Sequence, residues 1–478
     1  MKRILLFHVL LTGVVLFVLW YAMFPNFLWS LEGNSFFTTA SDFTNFQLSM
    51  PADWAKYVGA FLLQFFRYHE GGALLQMLFA LIILIASDCI IWLIGRNEHL
   101  LWLSFFSLVW FVGGQFQDED LERSVWWCSG FILVALLVYA FSYVRKRRTK
   151  VEVKHWLASP FLNYLFPCLA VGISVFLLIG REEHQEVEKI CRLDHWIEDK
   201  EWEKVLQSIR PEDAKQSLLQ QHWALLALSQ IGELSERMFA YGPTGTDSFF
   251  YSMEDGLFRE YFNTSFYECL GSDNGVVHSA FQAATQTRYG MSFRALRTLI
   301  KANIRLGNTE VAEKYLVLLQ HSTCHARWGE AQRKKIAGQS RLEKHVSNKS
   351  IGRLLQGSRS FVVEMAAVVD HYPEDRKALE YLLCGLLLQK DLDKFAYVLH
   401  EYAFRFMNRL PRHYEEALLV VGMKHPEVLE VFSVDKTKIE QFERFYSMLQ
   451  KRDEYKWMLE SQFGDSFWFY YYCKNLNG

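Results

Sequence analysis

The sequence predicts an all-α protein in two parts. About five transmembrane helices fill residues 1–180, and a soluble domain of α-helical hairpin repeats follows over 181–478. Three observations predict it. Five long apolar stretches crowd the first 180 residues and none follows them. Charge is divided to match: residues 1–180 hold 12 of the 51 Lys/Arg and 11 of the 53 Asp/Glu, so the remaining segment carries the charge density of a water-exposed domain. Prolines number nine in 478 residues, which leaves long helices uninterrupted.

The first stretch, 4–24, is about 21 residues long, enough for a hydrocarbon core of ~30 Å at ~1.5 Å per residue. Met1-Lys2-Arg3 reads as a signal-peptide start, but no small-x-small site follows, so the expectation is an uncleaved anchor. Further spans are expected at about 72–95, 99–114, 125–144 and 160–180. The third falls just below the usual minimum of ~17 residues, and charge argues for counting it. Lys2 and Arg3 place the N-terminus in the cytoplasm. With five spans the basic run Arg145-Lys146-Arg147-Arg148, Lys150 and Lys154 stays on that side, and Asp118-Glu119-Asp120 falls outside. The expected location is the plasma (inner) membrane with an extracytoplasmic C-terminal domain, periplasmic in a Gram-negative cell.

The extracytoplasmic loop 25–70 is unusually apolar. Trp54, Val58, Phe61, Leu62, Phe65 and Phe66 recur at helical spacing opposite Lys56, Gln64 and Arg67, which predicts an interfacial amphipathic helix. Two ionisable residues fall inside spans, His8 and Asp88, at roughly equal depth. Charge in hydrocarbon costs several kcal/mol and usually has a partner, so the readings are a His8–Asp88 pair, as a polar tie or a proton or ion site, or a neutral Asp88 near the headgroups.

After residue 180 apolar helices alternate with short polar turns at Asp199-Lys200-Glu201-Trp202, Gly232-Glu233-Leu234, Gly307-Asn308-Thr309 and Lys390-Asp391-Leu392. The first two are spaced close to the ~34 residues of a tetratricopeptide repeat, and the longer gaps must hold degenerate units or insertions. The third unit fits best. Leu296, Leu299 and Ile300 share one face, Gly307 allows the turn, and Ala312 permits close helix approach. Such hairpins bury their apolar faces only by stacking on neighbours. An irregular loop is expected at 243–256, a basic polar face or connector at 331–357, and an aromatic cap at Phe467–Tyr472.

Composition bears on function mainly by exclusion. A net charge of −2 argues against nucleic acid as a partner. No P-loop, GxSxG, HExxH or helix-opening GxGxxG occurs. The eight cysteines form no CxxC pair, and His321, Cys324 and His325 fall short of a four-ligand zinc pattern, so no metal and no cofactor is expected.

Several strings resemble an uncharacterised family of bacterial multi-pass membrane proteins with tetratricopeptide-like tails. They are Asn34-Ser35-Phe36-Phe37, Phe61–Phe66, Gly232–Phe239, Leu410–Leu419 and Phe463–Trp468. The resemblance implies no activity, and it implies relatives with more spans. The expected function is a membrane-anchored scaffold or assembly protein, in contact with membrane lipids, whose repeat domain binds a protein partner. The rival expectation is a reduced polytopic glycosyltransferase-like protein using a lipid-linked sugar. Its loop carboxylate would be Glu32 or, failing that, Asp42.

Overall fold

The computed structural model describes residues 1–50, 53–145, 159–250, 256–338, 360–403 and 409–474. Every regular element among them is helical. The chain divides into two compact units: Met1–Arg192 with Thr287–Ile300 and Thr309–Gln339, and Leu193–Gln286 with Lys301–Asn308 and Ser340–Gly478. The first unit therefore includes two segments from well beyond residue 180.

In the first unit, α1 is Lys2–Met23, α2 Pro25–Asn34, α3 Ser41–Gln47, α4 Trp54–Leu63, α5 His69–Gly95, α6 Ser104–Gln115, α7 Glu122–Arg145 and α8 Leu162–Ile179. Four of these, α1, α5, α7 and α8, are long and apolar enough to cross a membrane. The segment expected as a third span begins as a 3-10 turn, Glu98–Leu103, and continues as α6. The twelve α-helical residues reach only about 18 Å. Most of the basic run 145–154 lies outside the described residues. The central helix is α5, which packs against α1, α6 and α7, while α8 packs against α1 and α6.

The amphipathic helix of the first loop is α4, but its deepest face differs from the expected one. Ala55, Gly59, Ala60 and Leu63 are buried, while Trp54, Val58, Phe61 and Leu62 are half-buried. Small residues win that face because a Cβ at Gly59 would collide with the carbonyl of Asp120, so only glycine lets the backbones meet. The helix packs on α7, with Trp54 edge-on to Trp126 at 5.0 Å.

The second unit is built from short helices joined by tight turns. All four sequence-marked turns carry a residue in the left-handed region: Lys200, Gly232, Gly307 and Lys390. Each is closed by paired backbone bonds across the helix end. Glu233 N–H donates to Leu228 O at 2.9 Å, and Asp391 N–H to Leu386 O at 3.0 Å. A fifth turn of the same kind stands at Gly271, where Ser272 N–H donates to Tyr267 O at 2.9 Å. It splits the long gap between Gly232 and Gly307 near its middle. Glycine fits such a turn because an L side chain in that region crowds the following carbonyl. Helices Leu218–Ile231 and Arg376–Leu388 form the core of the unit, their side chains buried almost all round.

The aromatic end, Phe467–Cys473, folds back as a helix on this unit with Phe467, Trp468 and Tyr470 buried. Of the expected irregular loop, 251–255 lies outside the described residues, as does 339–357 of the basic stretch.

Candidate functional site: a buried Glu–His–Arg cluster

α2 follows α1 directly, with Pro25 at its first position, where a missing N–H costs nothing. Its free amides are capped by Glu188, which accepts from Phe27 N–H at 2.8 Å and from the Asn26 side chain at 2.7 Å. That cap orients α2 so that Glu32 points inward, fully buried. Glu32 Oε1 meets His325 Nε2 in a short contact. Its other oxygen, Oε2, is buried with no hydrogen-bond partner among the described residues.

His325 is held from several directions. Its ring stacks on Phe293 at 3.9 Å. Arg67 stands 2.7 Å from Nδ1. A guanidinium can only donate, so Nδ1 accepts, and Nε2 carries the proton that points at Glu32. Burial pushes the imidazole below its usual range; Glu32 pulls it back up, and Arg297 and Arg67 press it down. The result is a neutral imidazole fixed in one tautomer between a carboxylate and a cation.

Gln64 holds the loop that delivers His325. Its Oε1 accepts from the Ser322 hydroxyl and from Thr323 N–H, both at 3.0 Å. Thr39 N–H donates to His321 O at 3.1 Å, and Phe293 N–H donates to Ser35 O at 2.8 Å. Thus the strings at 34–37 and 61–66 frame the cluster. A buried acid, a neutral histidine and an arginine in line can hold or pass a proton. Asp42 does not join them. It is exposed near the start of α3, contacted by the Ser41 hydroxyl at 3.4 Å.

Sequence reasoning singled out Glu32, and saw His325 only as part of a weak metal pattern. Among the described residues no three His, Cys, Asp or Glu side chains gather as a metal site. The signal that could have joined the two was the position of Glu32 in an apolar helix, where a buried carboxylate requires a hydrogen-bond donor.

A second polar centre lies within the helix bundle. His8 Nδ1 and Asp88 Oδ2 are 3.4 Å apart, both buried. His8 Nε2 donates to Asn163 O at 3.1 Å, so the ring links α1 to both α5 and α8. Asn163 in turn accepts Trp102 N–H at 2.9 Å, which ties α8 to the turn before α6. The packing residues Leu296, Leu299, Ile300 and Ala312 are all fully buried.

The family model described as "Family of unknown function (DUF6057)" matches residues 1–184 and 123–474, and the chain belongs to that family. No curated protein and no solved structure matches the chain.

Proposed function

We propose that the protein is a membrane-anchored scaffold of the plasma (inner) membrane whose helical hairpin domain, tetratricopeptide-like in design, binds a protein partner. Five spans, α6 included, would place the N-terminus in the cytoplasm and the hairpin domain outside. The observation that supports this reading is the set of large apolar side chains left in solvent on helices of the second unit, Trp457 at 76% exposure and Tyr397 at 67%. Exposed aromatics on rigid helices are the residues that anchor protein interfaces.

Two experiments test it. Single-cysteine variants at Thr149 and Ser340 in intact cells, with an impermeant maleimide, should label at 340 and not at 149. The reverse pattern overturns the orientation. A photo-crosslinker replacing Trp457 in the full-length protein should capture one defined partner, and Tyr397→Glu or Trp457→Glu should abolish co-purification of that partner. Unchanged co-purification in both variants rejects the binding face.

The Glu32 cluster favours a second reading, a reduced glycosyltransferase-like activity on a lipid-linked sugar with Glu32 as base. The buried, unpartnered Oε2 supports it. Glycan transfer from a lipid-linked donor should be lost in Glu32→Gln with the fold retained; undiminished transfer removes Glu32 from the chemistry.

A further inference from the structure

Three helix ends meet in the first unit around a cavity of about 450 Å³. The end of α6 contributes Trp110, Gly113 and Gly114, with Gln117 just beyond it. The start of α7 contributes Arg123 and Trp127, and Arg181 follows α8. Two guanidiniums face the space, and among the described residues no carboxylate lines it. Arg123 donates to the carbonyl of Gly114, which occupies one of its five N–H groups. The Arg181 side chain makes no hydrogen bond or ion pair among the described residues and is exposed.

The pocket exists because of how the helices pair. α7 packs on α5 and α4, and α6 packs on α5 and α8, so a crevice opens between α7 and the other two. Trp110 and Trp127 meet edge to face across it at 4.4 Å. A side chain at Gly114 would collide with the Arg123 guanidinium, so glycine there keeps the arginine in place. Paired tryptophans and cations at the ends of apolar helices are what a headgroup layer selects. Below the pocket the outward faces stay apolar, with Phe106 57%, Ile173 50% and Phe176 71% exposed, a surface suited to acyl chains.

We propose that this pocket binds the phosphate of an anionic lipid headgroup, with the lipid tail running along α6 and α8. Arg123 and Arg181 supply charge-assisted donors to the phosphate oxygens, and Gln117 supplies a neutral one. The inference rests on α7 and α8 lying in a membrane, which fractionation of the intact chain tests separately.

The test uses full-length protein in a neutral maltoside detergent, with intrinsic tryptophan fluorescence as readout. The probes are dioctanoyl phosphatidylglycerol, dioctanoylglycerol and inorganic phosphate. Saturable binding of the phosphatidylglycerol is expected, roughly tenfold or more weaker in Arg123→Gln/Arg181→Gln. Trp110→Phe/Trp127→Phe should abolish the signal, dioctanoylglycerol should not saturate, and phosphate alone should bind far more weakly. Equal affinity in the double arginine variant overturns the site. Phosphate binding as tightly as the lipid overturns the lipid assignment. If the double variant misfolds, Arg181→Gln alone, whose side chain makes no hydrogen bond or ion pair among the described residues, must still weaken binding.

Discussion

Two buried glutamates, each beside a histidine, sit in opposite circumstances. Glu416 in the second unit is saturated. Its Oε2 accepts from Phe467 N–H at 2.7 Å and from His413 at 3.0 Å, and its Oε1 from Arg412 at 2.8 Å, with Lys438 at 3.8 Å. Burial alone would push its carboxyl up, but His413, Arg412 and Phe467 together outweigh burial and hold it below the usual range. Arg412 also forks onto Asp465 at 2.9 and 3.0 Å, and Arg412 N–H donates to Glu236 at 3.1 Å. Three family-like strings, around 232–239, 410–419 and 463–468, are thereby tied into one knot that fixes the aromatic end. Glu32 in the first unit has one partner and one idle oxygen. A carboxyl oxygen left without a partner is costly to bury, and folds keep such groups mainly where chemistry or switching uses them. The family-like strings thus mark two different things: a structural clamp in one unit and an unfinished polar site in the other.

The largest effect should come from cutting the clamp. Glu416→Ala strands His413 and Phe467 N–H, leaves Arg412 with Asp465 alone, and should cost about 3–5 kcal/mol, read by thermal melting and by proteolytic release of the C-terminal helix. A melt close to wild type would break the comparison at its root. Gln64→Leu should come next, at about 1–3 kcal/mol, because it leaves Thr323 N–H and the Ser322 hydroxyl without their acceptor and frees His325. Glu32→Gln should cost less than about 1 kcal/mol or even stabilise, since it removes a poorly compensated charge while its carbonyl still accepts from His325. A loss as large as that of Glu416→Ala would make Glu32 a clamp too.

Acidification should sharpen the contrast. His325, depressed by burial, stays neutral when folded but protonates when unfolded below about pH 6.5, so its contribution is lost as pH falls from there. Glu416 contributes above about pH 4.5, its ordinary value, and loses that contribution only as pH falls toward its lower folded value. His222 in the second unit is also depressed by burial, so whole-molecule melts mix the two units. Amide hydrogen exchange at 322–326 and at 467–470 separates them. In a His222→Asn background the first segment should loosen from about pH 6.5 downward and the second only below about pH 4.5. Simultaneous loosening would contradict the assigned environments.

Much of the fold could be read along the chain because it depends on neighbours in sequence. Apolar runs near twenty residues mark α1, α5, α7 and α8, and polar turns mark Lys200, Gly232, Gly307 and Lys390 because helix ends need a left-handed residue there. Gly271 escaped notice because Ser-Asp-Asn-Gly follows it and reads as open loop rather than helix start. What packing alone decided was which distant groups meet. Glu32 and His325 are 293 positions apart, and no local periodicity encodes their contact. The burial of Ala55 and Gly59 in place of the larger side chains of α4 was likewise decided in three dimensions, because close backbone approach favours small residues over hydrophobic ones. Sequence patterns report how each helix prefers water or oil; partners for buried charge are chosen only when the helices pack, since the cost of an unpaired carboxylate exists only once water has been excluded.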